Sequence, residues 1–200
     1  MPANVSADDN REQVATQSPP ERTELSAKMK DRVPVRKGGV ALELFGGRGD
    51  ALAANMPGLK HIAVEQEEDR VAAYKKRHPG SEIHHGKWEK ILPDLPLDKM
   101  DLCLIDVDPY GEPFKALDLL ASTVKLQGPC MLFTTFGFMR FMFQGVGRDG
   151  AIKKLCSFIE HKSAWKAERL LTLPAVRCVL TAHLLQPPVK KGFWSSIFGL

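Results

Sequence analysis

Apolar and polar positions alternate along this chain in blocks that predict strands and helices in turn. Residues 40–45 form a short apolar run with large side chains on both faces, which is typical of a strand buried in a parallel sheet. Further strands are predicted at residues 61–65, 82–85, 101–106, 130–135, 170–173 and 176–184. Helices are predicted at residues 50–55, 67–77, 112–121 and 151–163. This alternation predicts an α/β fold with a mostly parallel sheet, helices on both faces and a final antiparallel pair of strands.

The two ends of the chain are predicted to lie outside this domain. Residues 1–22 contain polar residues, a Pro-Pro pair and almost nothing that can pack, so we interpret them as a disordered tail. One domain is expected over residues 23–186, which is enough chain to bury a hydrophobic core. Residues 187–200 form a C-terminal tail that is apolar at its end but too short to span a membrane. Docking on the domain, on a partner or on a membrane surface all remain open for this tail.

The first predicted strand ends in a glycine-rich corner. Gly46, Gly47 and Gly49 remove side chains where the backbone bends sharply and where a ligand can approach it. Such a corner is as often a simple strand-to-helix turn as a ligand site. Glu65 is the second feature, because an acidic residue at the tip of the second strand is placed to accept hydrogen bonds from a ribose diol. A solvated charge at a helix entry is the alternative for Glu65.

The glycine corner resembles motif I of the class I S-adenosyl-L-methionine (SAM) methyltransferases. Its form, acidic-x-Phe-x-Gly-x-Gly, is common among enzymes that methylate nucleic acid. The resemblance is carried by Glu43, Phe45, Gly47 and Gly49. The corner departs from the dinucleotide fingerprint, because Leu52 stands where a third small residue is required. The resemblance implies a Rossmann-like fold with a seven-stranded sheet, SAM as the cofactor, and a cofactor site formed by these four residues and Glu65.

The segment after the third strand bears on the adenine end of such a cofactor. Many SAM enzymes place an acidic residue just after a glycine here to bind the adenine amino group, whereas this chain has Lys87 after Gly86. Trp88 is a candidate for stacking on the adenine or walling it. Simple packing at the start of a helix is the alternative for this aromatic side chain.

The fourth strand ends in the most specific motif of the chain, which runs from Asp106 through Asp108, Pro109 and Tyr110 to Gly111. A lone Asp-Pro pair is explained by capping of the next helix. The longer motif resembles motif IV of the tRNA guanine N2-dimethyltransferase family, and more broadly the Asp/Asn-Pro-Pro-Tyr/Phe motif of amino-group methyltransferases. The resemblance implies that Asp108 and the Pro109 carbonyl accept hydrogen bonds from the exocyclic amine of a base while Tyr110 stacks on it. Asp106 is assigned to the cofactor.

The last third of the chain is basic, and an aromatic loop precedes it. Residues 140–200 hold ten Lys or Arg against three Asp or Glu, whereas the whole chain has a net charge of +4. Nucleic acid, either RNA or DNA, is therefore the predicted partner, with a solvated helix face as the alternative. Candidate substrate contacts are Phe136, Arg140 and Arg148. The loop that contains them either closes over a flipped base or packs against the domain.

Composition narrows the class further. The four cysteines are far apart and form no Cys-x-x-Cys pair, so buried reduced thiols and no metal site are predicted. With 44% hydrophobic and 26% charged residues, a soluble cytoplasmic protein is expected. We therefore predict a SAM-dependent methyltransferase acting on an exocyclic amine, foremost of a nucleic-acid base. Two alternatives stay open: a methyltransferase for small molecules or protein side chains, and a non-catalytic SAM-fold binding protein.

Overall fold

The strands and helices follow the predicted alternation. The structure is a computed structural model that describes residues 20–47, 56–109, 111–137, 147–174 and 178–188. Its strands are β1 (Val40–Leu44), β2 (Lys60–Glu65), β3 (Glu82–His85), β4 (Leu102–Val107), β5 (Cys130–Gly137), β6 (Lys166–Pro174) and β7 (Cys178–Gln186). The helices in these ranges are α1 (Pro20–Met29), α2 (Glu68–Arg77), α3 (Trp88–Ile91), α4 (Phe114–Thr123) and α5 (Arg148–Glu160). The helix predicted at residues 50–55 lies outside the described residues.

The seven strands form one sheet in the order β3-β2-β1-β4-β5-β7-β6. Neighbours among β1 to β5 pair in parallel, and β7 is antiparallel to both β5 and β6. The chain order reverses between β1 and β4, so this is a topological switch point, where α/β folds bind ligands beyond the carboxyl ends of the strands. The predicted Rossmann-like sheet with its antiparallel pair is confirmed.

The sheet is buried on both faces, which explains why every residue of β1 and β4 is buried and why both strands are apolar apart from one acid each, Glu43 and Asp106. Successive residues of β1, Val40 and Ala41, belong to separate apolar clusters on the two faces. The cluster that contains Val40 also includes side chains of α4 and α5, whereas the cluster that contains Ala41 includes Leu25 and Met29 of α1. Helix α1 therefore covers one face, and α4 and α5 cover the other.

Helix α1 corrects the predicted boundary of the N-terminal tail. It begins at Pro20, and its side chains Arg22, Leu25 and Met29 are buried. Residues 20–22, which the polar composition placed in a disordered tail, thus belong to the folded domain. Within the described ranges, no helix is long and apolar enough to cross a membrane.

Candidate active site at the carboxyl edge of β1, β2 and β4

The described part of the glycine corner after β1, up to Gly47, turns sharply. Phe45 and Gly47 both have left-handed backbones, with φ of 64° and 54°. A positive φ is uncommon for a phenylalanine and marks a local constraint at the corner. A side chain at Gly47 would meet only the Phe45 carbonyl oxygen, at 3.8 Å, among the described atoms. Among the described residues, none blocks the approach of a ligand to the Gly47 backbone.

Glu65, at the end of β2, is held by the corner itself. Its Oε2 accepts a hydrogen bond from the Gly47 amide at 2.7 Å, and its Oε1 accepts from the amides of Gln66 at 2.8 Å and Glu67 at 3.0 Å. The side chain is buried. A solvated helix-entry charge therefore does not describe Glu65, which fastens the tip of β2 to the glycine corner.

Two acids lie side by side beneath this edge. Glu43 of β1 and Asp106 of β4 are register partners, and both are buried. The Tyr74 hydroxyl donates a hydrogen bond to Glu43 at 3.0 Å. Burial, and then the negative charge of Asp106, raise the pKa of Glu43 to about 8. Burial also raises the pKa of Asp106 to about 6, although the nearby Arg22 opposes this. Burial beside a second acid thus favours the neutral form of Glu43 more than in an exposed carboxyl group.

Arg22, which the sequence analysis missed, lies among the acids of the candidate site. Its guanidinium, on α1, is only 3% exposed and forms an ion pair with Asp106. Its Nε lies 3.2 Å from Asp108 Oδ2, and a terminal nitrogen donates to Thr135 Oγ1 at 2.8 Å. Burial opposes the charge, but the carboxylates outweigh it and raise the pKa of Arg22 above its ordinary value. Nothing in the polar segment around Arg22 signals this role, because its partners lie more than eighty residues away.

The motif after β4 lies directly beside the glycine corner. The Asp108 amide donates a long hydrogen bond of 3.4 Å to the Leu44 carbonyl. The side chains of Asp108 and Pro109 are partly exposed beyond the buried strand. Helix α4 starts after Pro113 without any side-chain cap, so Asp108 does not cap it. The Gly137 amide donates a hydrogen bond of 2.9 Å to the Gly111 carbonyl, and this bond connects the motif to the end of β5.

The remaining predicted site residues divide into four groups. Trp88 is partly buried and lies 6.1 Å from Phe45, measured between ring centroids, so the two form one wall at the corner. Phe136 is 0% exposed and packs edge-on against Phe114 at 5.2 Å, which corrects its assignment as a substrate contact. Arg148 is the first residue of α5. Outside the described residues lie Gly49, Tyr110 and Arg140.

The buried acids predict how stability depends on pH. Because the pKa of Glu43 rises from about 4.5 to about 8 on folding, the native state binds more protons than the unfolded state between these values. The contribution of Glu43 is fully present below about pH 4.5 and is lost as the pH rises through about 8. We expect Glu43→Gln to flatten the fall in the free energy of unfolding over this range, as measured by urea titrations at several pH values. An unchanged slope in this variant would contradict the assignment.

Comparison with known proteins supports the architecture. No protein-family model matches the sequence, and no curated protein matches it. Trm1 from Pyrococcus horikoshii, in complex with SAM, superposes with a TM-score of 0.65 at 13% identity, over 86% of this chain and 56% of that chain. Fibrillarin from Methanococcus jannaschii, a pre-rRNA processing protein, gives a TM-score of 0.62 at 12% identity, over 84% of this chain and 77% of that one.

An O-methyltransferase from Bacillus cereus, in complex with SAH, covers most of both chains. Its TM-score is 0.60 at 14% identity, over 92% of this chain and 93% of that one. Identities this low establish the fold rather than the reaction. The strand order, the glycine corner at the switch point and these likenesses agree: the chain has the Rossmann-like fold of the class I SAM-dependent methyltransferases.

Proposed function

We propose that the protein is a SAM-dependent methyltransferase that transfers a methyl group to an exocyclic amine of a nucleic-acid base, in RNA or DNA. The observation that carries the proposal is the position of Asp108. Its partly exposed carboxylate follows β4 at the switch point and neighbours the glycine corner through the Leu44 carbonyl. An acceptor for the amine and a cofactor site are thereby side by side, which a transfer reaction requires.

The residues at the corner fit SAM. The space above Gly47 admits a ligand, and Glu65 Oε2 has a second lone pair besides the one that accepts from the Gly47 amide. That lone pair is the acceptor we assign to a ribose hydroxyl. Asp106 Oδ1 is buried and has no hydrogen-bond partner among the described residues, so it can accept from a donor group of the cofactor. We place the adenine against the wall formed by Phe45 and Trp88.

Asp108 and Pro109 prepare the amine for the reaction. The bound cofactor supplies an electrophilic methyl group on a sulfonium. The lone pair of an aromatic amine is delocalised into its ring, so the amine is a poor nucleophile. Acceptors at the Asp108 carboxylate and the Pro109 carbonyl hold its hydrogens and favour the pyramidal nitrogen of the transition state. Arg22 fixes the orientation of the Asp108 carboxylate by contacting Oδ2.

Charge supports nucleic acid as the substrate. Helix α5 opens the basic last third of the chain and carries the exposed side chains of Lys153 and Lys154. Fibrillarin, one of the similar structures, is described as a pre-rRNA processing protein.

Radiolabelled SAM offered with structured RNA, single-stranded DNA, duplex DNA, protein extracts and small amines tests the acceptor directly. Transfer only to protein or to small amines would move the proposal to that acceptor.

Removing the Glu65 carboxylate is expected to weaken SAM binding. Glu65→Ala loses the proposed ribose contact and the hydrogen bond that the Gly47 amide donates to Glu65. Because a hydrogen bond to a charged acceptor contributes about 1.5 to 3 kcal/mol, we expect SAM affinity to fall by this amount. Calorimetric titration with SAM measures the loss, and circular dichroism checks that the domain stays folded. Glu67→Ala is the matched control, because Glu67 is an exposed neighbour on the same turn. Unchanged SAM affinity in Glu65→Ala would remove Glu65 from the cofactor site.

Nucleic-acid binding is expected to fall steeply with salt. Each phosphate contact contributes a log-log slope of about −0.7 to −0.9, so reversing two contacting charges should make the slope shallower by about 1.4 to 1.8. We would combine Arg148→Glu and Lys153→Glu in one double variant. The control reverses the charges of Lys60 and the exposed Lys99. Lys60 begins β2 and Lys99 precedes β4, so both lie at the amino ends of the parallel strands, opposite to the candidate site.

The measurement is the affinity for structured RNA and for single-stranded and duplex DNA at several salt concentrations. The control variant should keep the wild-type slope. Absence of binding to all three nucleic acids at low salt would overturn the choice of substrate while leaving the proposed cofactor untouched.

A further inference from the structure

Three side chains with metal-binding atoms meet on the face of the sheet opposite to α1. Cys156 and Glu160 are four residues apart on α5, so they lie on the same side of that helix. His183 belongs to β7, against which α5 packs. The Cys156 sulfur, a carboxylate oxygen of Glu160 and a ring nitrogen of His183 all lie within 4.8 Å of one another. Sequence spacing did not reveal this cluster, because the third member is on a distant strand.

His183 is the unusual member of the cluster. Its side chain is 0% exposed, and neither ring nitrogen has a hydrogen-bond partner among the described residues. Nε2 faces Glu160 Oε1 at 4.0 Å, which is too long for a hydrogen bond. Buried polar groups in native proteins are rarely left without a partner, so the unpartnered imidazole of His183 indicates a bound ligand.

We propose that Cys156, Glu160 and His183 bind a divalent cation of the zinc type. One sulfur, one nitrogen and one oxygen donor suit such a cation, whereas Mg²⁺ and Ca²⁺ select sites made of oxygen atoms alone. Tetrahedral zinc places its ligand atoms roughly 3.3 to 3.8 Å apart, so small side-chain rotations close the observed spacing. Glu160 is exposed, so neighbouring side chains leave room for such a rotation.

Two of the three proposed ligands line a surface pocket. Cys156 and Glu160 line a surface pocket of about 450 Å³ formed by α5 and β6, together with Asp149, Lys153 and Arg169. Three protein ligands and one open position are the arrangement in which zinc keeps a water or another small ligand. The site is therefore accessible to the metal from solvent.

Arg169 is the competing cation in this cluster. Its Nε lies 3.6 Å from Glu160 Oε1, and its guanidinium also interacts with the Cys156 thiol. Its positive charge opposes a divalent ion and holds the carboxylate that the ion needs. Removing this charge should therefore strengthen metal binding, whereas a mere Arg–Glu surface pair predicts no such effect.

The test uses the full chain, freed of metal with a chelator and titrated with Co²⁺ and Zn²⁺. Cobalt bound by a thiolate gives a charge-transfer band in the near ultraviolet, which identifies a cysteine ligand. We expect one equivalent to bind and Cys156→Ser to abolish the band. Glu160→Gln and His183→Gln should each weaken Zn²⁺ binding at least about tenfold, the lower limit seen even for groups that only support a ligand. Arg169→Gln should strengthen it.

Matched controls separate this site from other thiols and imidazoles. Cys103→Ser removes another buried thiol, and His61→Gln removes a partly buried imidazole, and both should leave the titration unchanged. Glu160→Gln alters an exposed side chain, so this variant reports on the site even if substitution of His183 disturbs folding. Absence of the band at one equivalent of cobalt, its survival in Cys156→Ser, or Zn²⁺ affinity indifferent to Glu160→Gln would each overturn the proposal.

Discussion

Replacing Asp108 with alanine is expected to lower methyl-transfer turnover at least about a hundredfold while SAM affinity stays near the wild-type value. The interaction of Asp108 with the amine strengthens as the nitrogen becomes pyramidal, so its loss raises the barrier more than it weakens ground-state binding. Turnover is measured with radiolabelled SAM and the acceptor found in the substrate panel, and SAM binding by calorimetry. Asp118→Ala is the control, because this exposed acid on α4 pairs only with Lys162 among the interactions observed.

An equal loss of SAM binding and turnover would give Asp108 a structural role instead. Capping of α4 is not that role, since the helix begins without a side-chain cap. The ion pair with Arg22 is the structural role that remains, and its contribution is measured separately by the next variant.

Replacing Arg22 with alanine is expected to lower the free energy of unfolding by about 3 to 5 kcal/mol, the range for breaking a buried ion pair by removing one partner. The variant leaves Asp106 buried without its cation and removes the positive charge beside Asp108. Urea titration measures the loss. Lys28→Ala is the control on the same helix, since its half-exposed pair with Glu24 contributes no more than about 0.5 kcal/mol.

The loss in Arg22→Ala should depend on pH. The pKa of Asp106 is already raised to about 6, and without Arg22 it rises further, so the acid escapes its buried charge by binding a proton. The destabilisation is therefore largest above this pKa and smaller in acid. Combining Arg22→Ala with Asp106→Asn should recover part of the lost stability at neutral pH. A loss below about 1 kcal/mol, or one that is the same at all pH values, would show that the ion pair does not form in solution.

The candidate site could be located from the sequence because its parts are local patterns. The glycines around Gly47 and the acids after β4 each follow an apolar run, and the carboxyl ends of parallel strands meet at one edge. Glu65 was placed at this edge by the same rule. The confirmed α/β sheet follows from the alternation of strand and helix periods, which depends only on neighbouring residues.

Pattern alone did not separate burial from function. Phe136 stands in an aromatic loop sequence that suits either a lid or the core, and only its contact with Phe114 decides for the core. Glu43 matches a cofactor motif, yet its neighbours in the structure are the Tyr74 hydroxyl and a second buried acid. Both outcomes depend on which side chains the strand order of the sheet brings into contact with Phe136 and with Glu43.

By itself, the sequence determined the order of strands and helices, the glycine corner and the acids at the strand tips. Only the tertiary structure decided that Arg22 neutralises Asp106 and that His183 joins Cys156 and Glu160. The physical reason is the distance along the chain between the residues that interact. Periodicity records which face of its own element a residue buries, whereas a buried charge or imidazole acquires its partner only when distant segments pack, and burial makes that partner decisive.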